Sequence, residues 1–368
     1  MGKYVHKFND GLKLLHKKHY QREQYQSFMT GPEWFNVEIS ANLAGLLKDK
    51  KSIFQFPYFS QMAEIWRVFY QSYKASRKYN SAYQILFSEY MVMDLFVVLF
   101  TTTELMTKGV ISLLLYPFLR QNNDTPMQAH LAEYFAFYAK DIESKPFFMH
   151  DYETHLIDLS KKYKQCDKHT WTDWLTWQLV SNELRIKKFI SSFLKGSYAD
   201  EPATTDILVK CRIDDTNEID AIAAFKKKLN HINPNLGIHI VDNEIFTKEK
   251  AANKTYTSVY ARLTAPRYME CKEAVYALAH ENIHIRHIAG QDHVQVKVDL
   301  QAVNEHELSL AQNILSKNED ATPIYSYSDG IHKNRRICLF DVLVKNLDQS
   351  LRSLEQQEGS TITFIHNF

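Results

Sequence analysis

The sequence predicts an α+β protein: an N-terminal all-α helical domain, then a ferredoxin-like βαββαβ sandwich with a helical C-terminal extension. Three observations lead to this prediction. Apolar residues recur at helical spacing through the first half, β-rich segments begin only after Tyr198, and these segments alternate with two helical patterns. The expected domains are residues 1–198, 199–301 and 302–368, the last mostly helical and packed on the second.

Composition restricts the class of protein. The 368 residues have a formal net charge of +1, and 45% are hydrophobic and 24% charged, which is ordinary for a globular chain long enough for two cores. The near-neutral charge argues against nucleic acid as a partner. Four scattered cysteines without a C-x-x-C pair indicate reduced thiols and hence a cytoplasmic location.

The helices of the first half are predicted from apolar spacing and end signals. Met62–Tyr73 carries apolar residues at i, i+3, i+4, i+7, i+8 and i+11, which is typical of a helix with one buried face. Thr125-Pro126 combines a capping residue with a first-turn proline, and Lys145-Pro146 ends that helix. A further helix is expected over Thr170–Leu194.

Met91–Leu119 is the most apolar part of the chain, and charged residues divide it into two runs. Each run is shorter than the roughly 20 apolar residues that span a bilayer. If the two runs formed one spanning helix, Glu104 and Lys108 would stand at i and i+4 in mid-membrane, where they could pair but at a cost. We expect a buried helix that breaks near Gly109 and ends before Pro117. Contact with a membrane surface and true spanning are the alternatives.

The β-rich half is predicted as strand, helix, two strands, helix and strand. These segments are Ile207–Ile213, Glu218–His231, Gly237–Val241, Ser258–Leu263, Met269–Ala289 and Val294–Val298. In a ferredoxin-like fold both helices pack on one face of an antiparallel sheet, so the histidines of the second helix would face away from it. The C-terminal extension is predicted as helices Val303–Ser316 and Ile337–Gln357 and a closing strand Thr361–Ile365.

The second of these helices carries a pattern that zinc enzymes use. Residues 280–284, with the sequence HENIH, match H-E-x-x-H. Two imidazoles one helical turn apart can hold a zinc ion, and the glutamate can act as a general base on the bound water. His280 and His284 are therefore candidate metal ligands, and Glu281 is the candidate catalytic base.

The segment from His280 to Ser309 resembles the thermolysin-like zinc peptidases, whose third ligand is a glutamate on a later helix. The resemblance implies that Glu305 completes a zinc site, with His287 or His293 as substitutes for it. Zn²⁺ is accordingly the cofactor that this interpretation expects.

Two functions follow from the sequence, and whether the chain is an enzyme stays open. It contains no G-x-x-x-x-G-K-[ST], G-x-G-x-x-G or G-x-S-x-G pattern. The leading hypothesis is an intracellular binding protein without a cofactor, whose helical half contacts a protein partner or a membrane surface, the latter giving a peripheral membrane location. The alternative is a zinc-dependent, peptidase-like hydrolase.

Overall fold

The fold combines helices with antiparallel sheet, as the sequence predicts, but it contains two small sheets where the sequence predicts one. The computed structural model describes residues 31–367 apart from 78–80, 120–123, 145–146, 167–169, 195–203, 215–216, 252–253, 267–268, 289–291, 303, 305, 307–320 and 333. The chain divides into two compact units. The helical unit is Phe28–Asp200 with Tyr325–Arg336, and the α/β unit includes Glu201–Ile324 and Ile337–Phe368.

Seven described α-helices build the helical unit. In chain order, α1 to α7 are Gly31–Lys48, Tyr58–Ser76, Ala82–Leu86, Glu89–Leu119, Pro126–Ser144, Tyr152–Gln165 and Trp171–Leu194. Side chains cap several starts: Ser81 accepts from the Gln84 N–H before α3, and Asp151 from the Thr154 N–H before α6. Nearly every residue of α1 is buried, so α1 is the centre around which other helices pack.

The helix α4 is continuous, so the predicted break near Gly109 and the end before Pro117 are wrong. A Cβ atom at Gly109 would lie 3.1 Å from side-chain atoms of Tyr58 and Phe59. Glycine therefore allows α2 to approach α4 closely, and it does not interrupt the helix.

The end of a β-hairpin, Tyr325–Arg336, belongs to the helical unit, and the sequence analysis did not foresee this. The buried Asp329 carboxylate accepts from two backbone N–H groups of the turn at 2.7 and 2.8 Å. It also accepts from the Arg335 guanidinium at 2.8 Å, and the same guanidinium lies 3.2 Å from Glu38 of α1. These charge-assisted bonds fix the turn and attach it to α1.

Eight strands and three α-helices are described in the remainder of the chain, which forms the α/β unit except that the end of β6 and the start of β7 belong to the helical unit. They are β1 Thr204–Asp214, α8 Glu218–His231, β2 His239–Ala251, β3 Lys254–Pro266, α9 Met269–His280, β4 Ile283–Ile288, β5 His293–Gln301, β6 Ala321–Ser328, β7 Arg335–Leu343, α10 Leu347–Gln356 and β8 Ser360–Asn367. The strand orders are β2-β3-β1-β4 and β6-β7-β5-β8. Strand β1 is antiparallel to both its neighbours, and β5 is antiparallel to β8.

The predicted helix Met269–Ala289 is wrong beyond His280. Asn282 has φ +55°, a left-handed conformation that ends helices and that asparagine adopts more readily than most residues. The chain then forms β4, in which Ile283 and Ile285 are buried on either side of an exposed histidine. Consequently Val294–Val298 is not the fourth strand of the first sheet but part of β5 in the second.

The C-terminal extension is not mostly helical, because the described residues include strands β6, β7 and β8. The segment predicted as one helix over Ile337–Gln357 is the end of β7 followed by α10. Its apolar run Ile337–Phe340 is fully buried and has no period that distinguishes a strand from a helix. The closing strand is confirmed as β8, whereas the predicted helix Val303–Ser316 lies almost wholly outside the described residues.

One apolar core holds the α/β unit together. It includes Phe225 of α8, Leu278 of α9 and Leu351 of α10, each fully buried, together with inward side chains of both sheets. The two sheets therefore share a core within this unit, and neither is an independent layer.

Two glycines of the α/β unit test how its turns constrain the backbone. Gly359 has φ +75°, and a Cβ atom there would overlap the Gln301 carbonyl oxygen, whereas Gly237 has φ +62° with open space around it. We expect Gly237→Ala to destabilise the unit by about 1 kcal/mol, from backbone conformation alone. Gly359→Ala should lower the free energy of unfolding by about 3 kcal/mol. Urea unfolding followed by circular dichroism measures both, and equal effects would contradict the explanation.

Candidate functional site

The residues of the H-E-x-x-H pattern fall on two different elements. His280 is the last residue of α9, with its side chain 85% exposed, whereas His284 is on β4. Glu281 lies in the turn between them, and its carboxylate is 3.5 Å from the His280 ring and 3.7 Å from the His231 ring. The arrangement of two imidazoles one turn apart on one helix, on which the zinc interpretation depends, is not formed.

His284 borders a small cavity of the α/β unit that Asp348 also lines. Burial lowers the pKa of His284, and the positive charges of Arg286, Arg212 and Lys210 lower it further. The neutral imidazole that results is the form that binds metals. The Asp348 carboxylate acts in the opposite direction and raises the pKa of His284.

His287 and His293, the predicted substitutes for Glu305, each lie beside a different aspartate. The Nδ1 atom of His287 is 2.7 Å from Asp292, and that of His293 is 3.3 Å from Asp341. Glu305 lies outside the described residues. Among the residues that are described, no group of three or more His, Cys, Asp or Glu side chains is placed to hold a metal ion. The zinc ligand set stays a prediction.

The zinc hypothesis predicts about one zinc per chain in protein purified without a histidine tag, and a lower content after His280→Ala. Elemental analysis of both proteins measures this. A wild-type content below about a tenth of a zinc per chain, unchanged by the substitution, would contradict the hypothesis.

Four charged side chains form a buried cluster between α4 and α7, which we call the ionic cluster. The Lys108 ammonium lies 2.6 Å from carboxylate oxygens of both Glu104 and Glu183. The Lys187 ammonium donates to Glu183 and lies 3.3 Å from Glu104. Each helix contributes one glutamate and one lysine at i and i+4, so the formal charges sum to zero.

The ammonium groups outweigh the effect of burial on Glu183. Burial by itself would raise the pKa of this carboxyl, but Lys108 and Lys187 lower it to about 2. Burial acts the other way on Lys108, where the Glu104 and Glu183 carboxylates overcome it and raise the pKa above the usual value. Each charge is thus stabilised by its opposite partners in a largely buried site.

The polar interactions continue from the ionic cluster towards α5 and α6. Lys187 lies 5.1 Å from the centre of the Tyr138 ring, and the Tyr138 hydroxyl is 2.9 Å from that of Tyr152. The fully buried His150 packs against both tyrosines, and its Nδ1 atom is 2.6 Å from Asp141. The cluster is therefore part of a larger buried polar network.

A cavity beside the ionic cluster is too small for a metabolite. It is lined by Glu104, Glu183, Lys187, Tyr138 and a set of apolar side chains. The space open to the centre of a water-sized sphere is about 20 Å³, which is room for on the order of one water. Ligand pockets are typically more than ten times larger, so the ionic cluster in this conformation is not a small-molecule site.

The opposite side of α4 is apolar and exposed. Its exposed residues, which we call the α4 outer face, are Val92, Leu95, Phe96, Leu99, Thr103, Met106, Thr107, Val110, Leu113, Leu114 and Phe118. None of them is charged. Asp94 and Lys108, by contrast, are buried, with 1% and 4% exposure, and Glu104 joins the ionic cluster. A surface helix usually buries its apolar side chains and exposes its charged ones, whereas α4 exposes apolar side chains and buries these charges.

The expectation of a buried helix is therefore correct for only one side of α4. Within the described chain, Met91–Leu115 is long and apolar enough to cross a membrane by length and composition. Only 39% of its most apolar window is buried, however, whereas the core helix of a soluble protein is mostly buried. The outer face lacks a covering element in the described part of the chain.

Sequence reasoning identified part of this site. The pairing of Glu104 with Lys108 is confirmed at 2.6 Å. Glu183 and Lys187 were missed, although they show the same i, i+4 spacing of glutamate and lysine on another helix. That repeated spacing was the available signal. Comparison with family models, curated proteins and solved structures found no match.

Replacing Glu183 tests the role of the ionic cluster. Glu183→Gln leaves Lys108 and Lys187 with one carboxylate, so we expect the free energy of unfolding to fall by about 3–5 kcal/mol near neutral pH. Because the folded pKa of about 2 lies below the ordinary value of 4.5, the stabilisation is full above pH 4.5 and is lost as the pH falls to about 2. Urea midpoints of both proteins, measured across this range, should converge in acid.

The control for this measurement is Glu133→Gln on α5, which removes an exposed carboxylate that has only a distant histidine contact of 3.7 Å. It should change the free energy of unfolding by less than about 0.5 kcal/mol. A loss at Glu183 that is no larger than at Glu133, or that stays constant down to acid pH, would show that the cluster does not stabilise the unit through its charges.

Proposed function

We propose that this protein acts by binding, and that the helical unit makes the contact through the α4 outer face. The partner is a protein or a membrane surface, and nucleic acid is not expected. The observation that supports this proposal is the inverted polarity of α4, with charges inside and apolar side chains outside. Large contiguous apolar patches are uncommon on monomers and mark interaction sites.

The energetics of α4 favour a covered outer face. Val92 and Leu113 are 64% and 66% exposed, and each would gain about 1.5–3 kcal/mol if it were fully buried. Phe59 of α2, which packs on Gly109, is also exposed and extends the apolar surface beyond α4. Association through this surface would remove a substantial apolar area from water.

We also propose that Thr204–Ile288 is a ferredoxin-like unit. The strand order β2-β3-β1-β4, the antiparallel pairing and the placement of α8 and α9 between successive strands support this arrangement. The order β6-β7-β5-β8 of the second sheet has the same form, so the C-terminal half would contain two copies of one arrangement. Such a fold does not by itself indicate an activity.

A pair of lysine substitutions tests whether the α4 outer face is an accessible binding surface. Leu99→Lys combined with Leu113→Lys places two charges on this face at positions where lysine favours helix. We expect the double variant to elute earlier than wild type from a phenyl hydrophobic-interaction column. The matched control is Ile157→Lys combined with Ile219→Lys, which adds the same charges at exposed positions on α6 and α8.

We call the Leu99→Lys, Leu113→Lys protein the α4 pair and the Ile157→Lys, Ile219→Lys protein the control pair. The elution of the control pair should differ less from that of wild type than the elution of the α4 pair does. Circular dichroism should show that all three proteins are equally helical. Equal retention of the α4 pair and wild type would mean that the α4 outer face is covered in solution. The proposed function would then be wrong.

A further inference from the structure

We infer that the partner of the α4 outer face is a lipid bilayer, on whose surface α4 lies with its outer face in the hydrocarbon boundary. This inference rests on the proposed binding function and names the partner within it. A second helix and a bilayer are two surfaces that an exposed apolar helix face fits, and three features of α4 favour the bilayer.

The first feature is the width of the apolar face. Its central stripe has the alternating spacing of four and three residues found in a coiled-coil seam: Val92, Phe96, Leu99, Thr103, Met106, Val110 and Leu113. The exposed positions that flank this stripe are Thr107 and Leu114 on one side and Leu95 on the other. In coiled coils these flanking positions usually carry the charges that set the register and partner choice. None of the flanking positions of α4 is charged, so no charge would fix the alignment of a partner helix along this face. A lipid surface requires no such alignment.

The second feature is that immersion would dehydrate no charge of α4. Between Val92 and Phe118, the charged residues are Asp94, Glu104 and Lys108, and none is on the outer face. Lys108 is already bonded to two carboxylates inside the unit. Glu104 and Lys108 are paired inside the unit and Asp94 is buried away from the outer face, so immersion of this face would not require a charged side chain to be desolvated.

The third feature decides between lying on the bilayer and spanning it. The outer face is about 39 Å long at 1.5 Å per residue, which is enough to cross a hydrocarbon core of about 30 Å. Arg185 of α7, however, is exposed and lies two residues from Glu183 of the ionic cluster, and the exposed Lys188 forms an ion pair with the exposed Glu153 of α6 at 2.8 Å. Spanning would carry these charges into hydrocarbon, whereas an in-plane helix immerses only its outer face.

Flotation of the full chain with phosphatidylcholine–phosphatidylserine vesicles on a sucrose gradient tests the inference. We expect wild type to float with the vesicles and to remain bound at high salt, because the contact is apolar and is not screened. Leu99→Lys combined with Leu113→Lys should weaken the partition coefficient at least about tenfold. Ile157→Lys combined with Ile219→Lys should float as wild type does.

The outcomes separate this inference from the proposed function. If wild type does not float but the α4 pair still elutes earlier than wild type from the phenyl column, the lipid inference is overturned. The proposal that the α4 outer face is a binding surface is then still supported. Light scattering without vesicles gives a second test. If wild type is a dimer and the α4 pair is a monomer, the α4 outer face binds a second copy of the chain and the inference is overturned. Flotation that is lost at high salt, or that both variant pairs weaken equally, would also overturn the inference.

Discussion

The ion pairs between α4 and α7 are the constraint on which the arrangement of the helical unit depends. Lys108 contacts carboxylates on both helices, and so does Lys187, which fixes the rotation of α4 about its axis. Buried ion pairs contribute little net stability relative to apolar packing, but breaking one leaves an uncompensated charge. Rotation of α4 by a quarter turn would break these pairs. The main consequence of the cluster is therefore orientation, because it decides which side of α4 faces outward.

That orientation separates two kinds of helix within one unit. Helix α1 is buried almost all round and needs no further partner. Helix α4 pairs Glu104 and Lys108 inside the unit and leaves the apolar side chains of its outer face unburied, which is unfavourable in water and favourable against an apolar surface. The ion pairs of the cluster thus determine which side of α4 is exposed. Because that side is apolar, α4 tends to associate with an apolar surface.

The sequence predicted those features that depend on local spacing. The helices α2, α5 and α7, the helix α8 and the pairing of Glu104 with Lys108 all follow from periods and end signals within one segment. The contacts of Lys108 with Glu183 and of Arg335 with Glu38 join residues far apart in the chain, and no local pattern encodes them. Strand β7 was missed for another reason: its fully buried apolar run has no period that excludes a helix.

The two sequence patterns that suggested function depend differently on structural context. H-E-x-x-H has its chemical meaning only on a continuous helix, and the left-handed backbone at Asn282 removes that context in a single residue. The charges within the apolar Met91–Leu119 argued against membrane contact while their partners were unknown. In the structure Glu104 and Lys108 are paired towards the interior of the unit and Asp94 is buried, which leaves an outer face without charge. A charge in an apolar helix therefore opposes lipid contact only when it has no partner behind the helix.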